Sequence, residues 1–159
     1  MKRFKVYHQK NIMDCGPMCL HMVAKHYGKN IGLEKLRNDA GLSKQGVSLL
    51  GLSEAAERIG IKTHRVAISY EQLKNEAPLP AILHWNQNHF VVVTPKANKK
   101  TITVADPAKG IISYTKEEFC QHKKSIQYKT GLSAQAEIIT ADLRLTERFL
   151  NSLRKNVSR

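Results

Sequence analysis

The sequence predicts an α+β fold, helices first and then an antiparallel β-sheet, and three observations predict it. Apolar residues recur at helical spacing through the N-terminal part of the chain. From residue 62 onward the period changes, and strand-sized apolar runs such as "AILHW" and "HFVVVTP" follow one another. The breaks between those runs carry Asn, Lys, Pro and Gly, as hairpin and turn connections do. Helices first and a run of strands afterwards is an α+β arrangement.

Each element has its own signal. Residues 15–27 hold Met18, Leu20, Met22, Val23 and Tyr27 at helical spacing, Pro17 fits the first turn, where a missing N–H is no loss, and Gly28 supplies the stop. "LEKLRNDAG" (33–41) reads as a second helix closed by Gly41, and "SLLGLSEAAERIG" (48–60) as a third, opened by Ser48 and closed by Gly60. "KTHRVAIS" (62–69) alternates like a strand, and "SYEQLKN" (69–75) makes one or two helical turns. "LPAILHW" (79–85), "HFVVVTP" (89–95), "TITVAD" (101–106) and "GIISYT" (110–115) are the successive strands, with "KEEFCQH" (116–122) a short helix after them. Residues 123–159 differ in texture: Lys123, Lys124, Lys129, Arg144, Arg148, Arg154, Lys155 and Arg159 face only Glu137, Asp142 and Glu147. We therefore expect one domain over residues 1–122 and a basic C-terminal extension over 123–159, with "AEIIT" a candidate strand and "ADLRLTERFLNSLRK" a candidate amphipathic helix.

At 159 residues, 42% hydrophobic and 25% charged, the chain can bury a core and has an ordinary globular composition. Its longest apolar runs are far too short to cross a bilayer, and no apolar segment of a signal peptide follows Lys2, Arg3 and Lys5. The odd count of three cysteines (Cys15, Cys19 and Cys120) lacks the density of a disulfide scaffold and reads as reduced thiols in a cytosolic setting. The net charge of +13 fits a nucleic acid, an anionic membrane surface or an acidic peptide as partner, and equally a scatter of Lys and Arg that serves solubility. No basic run is interleaved with regularly spaced aromatics, so no nucleic-acid partner is expected.

The chemistry concentrates in "HQKNIMDCGPMCLHMVAKHYG" (8–28), which puts Cys15 at the mouth of the first helix. A thiol has a reference pKa of ~8.5 and attacks as the thiolate, which the free N–H groups and positive pole of a helix N-terminus stabilise. Gly16 leaves access to the sulfur. A nucleophilic cysteine also needs a base, an orienter for that base and donors for the developing oxyanion. His89 opens a strand that would hold its ring rigidly. Asp106 ends the next strand in "TVADPAKG", where Pro107 enforces an extended approach, and an antiparallel neighbour would set it beside the His89 ring. Gln9, six positions before Cys15, can donate its amide to the oxyanion alongside the Cys15 backbone N–H. Asp14 either tunes the thiolate or solvates its loop, and Trp85 is either core or cleft wall. Cys19 and Cys120 suit packing, and His8, His21, His26, His64, His84 and His122 suit the surface or packing rather than catalysis. C-x3-C without a second pair is a weak metal pattern, so no metal site is expected.

These motifs, "Q-x5-C-G-P-x-C-L", "NHFVVV" and "VADPAKG", resemble the papain-like cysteine peptidase domain at the N-terminus of bacteriocin-exporting ABC transporters, over roughly residues 4–121. The resemblance implies a papain-like fold with the active site between the helical half and the sheet. It implies Cys15 as nucleophile, His89 as base, Asp106 as orienter and Gln9 as oxyanion donor, with no cofactor. It further implies removal of double-glycine leaders from bacteriocin or peptide-pheromone precursors, on the cytoplasmic face of the membrane. The partners would then be the precursor peptide and the transmembrane and ATP-binding parts of the exporter. The alternative is a leader-binding domain of the same fold without turnover; such degenerate domains lack the cysteine. "HKKSIQYKTG" departs from the family, which usually carries a tryptophan and an apolar strand at that point.

Overall fold

The computed structural model describes residues 3–85, 88–95, 100–121, 135–140, 150, 151 and 154. Three helices build the N-terminal half: α1 (Cys15–His26), α2 (Leu33–Asp39) and α3 (Leu49–Arg58), with a 3-10 turn at Ile12–Asp14 leading directly into α1. Their ends follow from local chemistry. Gly28, at φ +77°, lets the chain turn back so that the Lys29 N–H reaches the Ala24 carbonyl at 2.8 Å and the Gly28 N–H that of Lys25 at 3.1 Å. The Ser48 hydroxyl accepts from the Gly51 N–H at 2.9 Å and so opens α3.

The strands are β1 (Lys62–Ala67), β2 (Ala81–Trp85), β3 (His89–Val93), β4 (Ile102–Asp106), β5 (Gly110–Tyr114) and β6 (Gln135–Thr140). Two short helices, α4 (Tyr70–Asn75) and α5 (Lys116–Gln121), lie between β1 and β2 and after β5. A reciprocal Ser69–Gln72 capping box starts α4. Among the described residues the six strands form one sheet in the order β1-β6-β2-β3-β4-β5, with every neighbouring pair antiparallel. β6 comes from beyond residue 122, yet it lies inside the sheet, pairing Lys62 with Thr140 on one side and Ile82 with Glu137 on the other. The helix expected over 141–155 falls outside the described residues except at 150, 151 and 154, which are helical.

The sheet is covered on both faces. Ile82, Phe90, Val92 and Ala105 pack with Leu20, Met22, Leu36, Leu52 and Ala56 of the first three helices. Their alternates Ala81, Leu83, Val91, Val93 and Val104 pack with Tyr70 and Leu73 of α4 and Phe119 of α5. This explains why β3 reads as an unbroken apolar run after His89: a strand buried on both faces has no polar side to alternate with. Among the described residues no helix is long and apolar enough to cross a membrane.

Candidate active site

Cys15 is the first residue of α1 and is buried, with 6% of its surface exposed. α1 packs on β3, which brings Cys15 near the His89 ring. The β3–β4 ladder joins Val92 to Ala105 and Val93 to Val104, and no further pair toward His89 and Asp106 forms among the described residues. A side-chain bond links the strands there instead: His89 Nε2 lies 2.9 Å from Asp106 Oδ1. With Nε2 engaged, Nδ1 is the nitrogen left for the sulfur. Asp106 is itself fixed, because its Oδ1 also accepts the Ala108 N–H at 2.8 Å and it pairs with Gly110 across the β4–β5 turn. Gly110, at φ +96°, takes the left-handed conformation that closes this three-residue turn.

The His89 pKa is raised from the ordinary imidazole value, first by its bond to Cys15 and then by Asp106, which together outweigh the lowering effect of burial. The arrangement therefore favours an imidazolium between a sulfur and a carboxylate. Cys19, one turn along α1, has no exposed surface, and burial pushes its thiol well above the usual range, with Cys15 and Asp106 adding to the effect. It is a core thiol, not a second nucleophile.

Gln9 is held beside the Asp106 turn by its backbone, whose N–H donates to the Pro107 carbonyl at 2.9 Å. Its side-chain Nε2 makes only a long 3.5 Å bond to the Ile12 carbonyl, and its buried Oε1 has no partner among the described residues. The structure thus brings Cys15, His89 and Asp106 together, with Gln9 on the border of the site.

Three features of the site were not legible in the sequence. Gly16 does not open a path to the sulfur as expected: it is buried, and a Cβ there would lie 2.3 Å from Val47 Cγ2 and 3.3 Å from Phe90 Cδ2. Close packing of the helix start, directly beside Cys15 and His89, is what requires glycine. Asp14 is buried and neither open to solvent nor capping α1; Arg37 of α2 grips it, with Nε 2.9 Å from Oδ1 and Nη2 2.5 Å from Oδ2. Trp85 belongs to the core on the far face, 5.1 Å from the Phe119 ring and 5.7 Å from that of Tyr114.

The remaining histidines have other neighbours. His21 Nδ1 contacts the Ile31 carbonyl at 3.0 Å, His26 packs on Phe4, and His84 stacks on Phe90 at 4.4 Å. His8 is exposed beside Gly110, His64 pairs with Ile138 in the sheet, and His122 lies outside the described residues. Among the described residues no cluster of three potential metal ligands is found.

The chain has known relatives. It is 33% identical over 150 residues to the colicin V secretion/processing ATP-binding protein of Escherichia coli, a match that covers 94% of this chain and 21% of that protein. It is 35% identical over 120 residues to the lactococcin-G-processing and transport ATP-binding protein of Lactococcus lactis subsp. lactis, covering 72% of this chain and 17% of that protein. The chain thus spans about a fifth of the length of these relatives. Among solved structures it resembles a double glycine motif protease from an AMS/PCAT transporter in complex with the leader peptide, with a TM-score of 0.75 and 32% identity over 86% of this chain and 91% of that one. It also resembles the peptidase domain of Streptococcus ComA, a bi-functional ABC transporter involved in a quorum-sensing pathway, with a TM-score of 0.72 and 26% identity over 88% of this chain and 100% of that one. The model of the Peptidase C39 family matches residues 3–126. The chain belongs to the Peptidase C39 family.

Proposed function

We propose that this chain is a cysteine endopeptidase that cuts after a Gly-Gly pair and removes the leader from bacteriocin or peptide-pheromone precursors. The observation that carries the reading is the His89–Asp106 bond with Cys15 beside it at the start of α1. A Cys15 thiolate attacks the scissile carbonyl carbon while His89 carries the proton. The tetrahedral oxygen faces the Cys15 backbone N–H and, after a swing of its weakly held side chain, the Gln9 amide. Collapse breaks the C–N bond, His89 hands its proton to the leaving amine, and the leader stays on Cys15 as a thioester. Water then attacks the thioester with His89 as base, releasing the leader as a carboxylate and restoring the thiol. Asp106 holds the imidazole in the orientation both proton transfers need.

Two facts support the substrate. The relatives are processing and transport proteins, and one neighbouring structure is a double glycine motif protease bound to a leader peptide. By the same similarity the chain works at the cytoplasmic face of the membrane, alongside the transmembrane and ATP-binding parts of an ABC exporter. A leader-binding domain without turnover is disfavoured, because Cys15, His89 and Asp106 are all present and brought together.

Competition kinetics on Gly-Gly, Ala-Gly and Gly-Ala versions of one precursor test the proposal. A channel too narrow for a Cβ makes each added methyl cost about 1–3 kcal/mol, and kcat/KM falls about tenfold per 1.4 kcal/mol. A loss of about one to two orders of magnitude is expected for either change. Equal rates for all three would leave a peptidase but overturn the double-glycine reading; no cleavage of any would leave only leader binding.

A further inference from the structure

We infer that Arg37 is a positioning residue for the nucleophile: it neutralises the buried Asp14 carboxylate that adjoins Cys15 and so keeps that charge from opposing a thiolate at the start of α1. The inference rests on the reading of Cys15 as nucleophile. A capping side chain reaches the first N–H groups of a helix from an extended backbone. Asp14 precedes α1 with a helical backbone, φ −84° and ψ 0°, continuous with the 3-10 turn Ile12–Asp14, and its side chain caps nothing. Both of its oxygens go to Arg37 instead, at 2.9 Å and 2.5 Å, while Arg37 Nη1 reaches Glu34. The planar guanidinium matches the carboxylate with two parallel bonds, which a lysine ammonium cannot do. The Asp14 side chain is 1% exposed, so water cannot replace this partner. Without Arg37 the carboxylate would be an uncompensated buried charge that opposes a thiolate on the adjoining residue.

Among the described residues, few other charged or titratable groups interact with Cys15. They are His89 of β3, Asp106 of β4 acting through His89, and the neutral Cys19 of α1. His84 of β2 stacks on Phe90, His21 of α1 contacts the Ile31 carbonyl, and Glu54, Glu57 and Arg58 of α3 are exposed. Asp14 is therefore the carboxylate next in chain to the sulfur, and Arg37 is the group that neutralises it.

The test is the pH dependence of Cys15 alkylation by iodoacetamide, read by peptide mapping, in the wild type, Arg37→Gln, Asp14→Asn and the double variant. Arg37→Gln should move the acid limb up by about one pH unit, Asp14→Asn should move it down, and the double variant should return it to the wild-type position. A purely structural pair would change the melting temperature but not move the limb in opposite directions. Limbs left in place, or moved the same way, would overturn the inference. If Arg37→Gln does not fold, Asp14→Asn decides alone, and an unmoved limb overturns it. A wild-type Cys15 that alkylates like a free thiol, with its limb near ~8.5, would instead count against the nucleophile reading itself.

Discussion

Replacing Gly16 with alanine sets two effects against each other, and the structure decides between them. Gly16 has no positive φ, so the exchange would ordinarily favour a helix by roughly 1 kcal/mol. Here the new Cβ would stand 2.3 Å from Val47 Cγ2, where carbon atoms prefer roughly 3.5–4.0 Å, and 3.3 Å from Phe90 Cδ2. Overpacking costs about 1–3 kcal/mol, so the net change is about 0–2 kcal/mol of destabilisation, a few degrees in melting temperature for a chain of this size. The effect on rate is larger. Val47 must retreat by more than 1 Å or α1 must lift, and the lifted residues are Cys15 and the neighbours of His89. A misplacement of about 1 Å is worth on the order of a hundredfold in rate. We expect kcat/KM on a double-glycine precursor to fall about ten- to a hundredfold while the protein still melts cooperatively, and Gly16→Ala/Val47→Ala to recover part of the loss. Full activity with a raised melting temperature in Gly16→Ala, or no recovery in the double variant, would refute the close-packing argument.

Two further outcomes follow from the site. His89 titrates above its ordinary value, so its contribution to stability is present in full below that value and is lost as pH rises through the folded-state value. Cys15→Ala removes the leading cause and Asp106→Asn the next, so both should lower the His89 titration midpoint followed by NMR; an unchanged midpoint in Cys15→Ala would contradict the Cys15–His89 contact. Gln9→Ala should lower kcat about a hundredfold and leave KM nearly unchanged, as expected for a lost oxyanion donor, whereas a raised KM with intact kcat would reassign Gln9 to substrate recognition.

What could be read from the sequence was what depends on local signals. The first three helices were legible because Ser48, Gly28, Gly41 and Gly60 punctuate them, and the strands because Asn, Pro and Gly separate them. The meeting of His89 with Asp106 was legible because both sit at strand ends joined by short connections. Long-range pairings were not. Nothing local says that β6 inserts between β1 and β2, since that register depends on an edge left open some seventy residues earlier in the chain. The second layer formed by Tyr70, Leu73 and Phe119 was equally hidden, because a strand buried on both faces gives only a solid apolar run. Asp14 and Arg37 lie 23 positions apart, and no spacing rule connects a loop carboxylate to one arginine on another helix. Gly16 read as an access point because a sequence shows that a side chain is missing but not what fills the space.

The most direct measurement uses a leader peptide ending in Gly-Gly whose terminal carboxylate is replaced by a chloromethyl ketone, an electrophile that a thiolate alkylates with loss of chloride. Intact mass should show one adduct per chain, and peptide mapping should place it on Cys15, with Cys19 and Cys120 unmodified. The same reagent ending in Ala-Ala should label at least tenfold more slowly, and Cys15→Ala should not be labelled at all. An adduct on Cys19 or Cys120, or equal labelling by the Gly-Gly and Ala-Ala reagents, would contradict a Cys15 thiolate set to cut after two glycines.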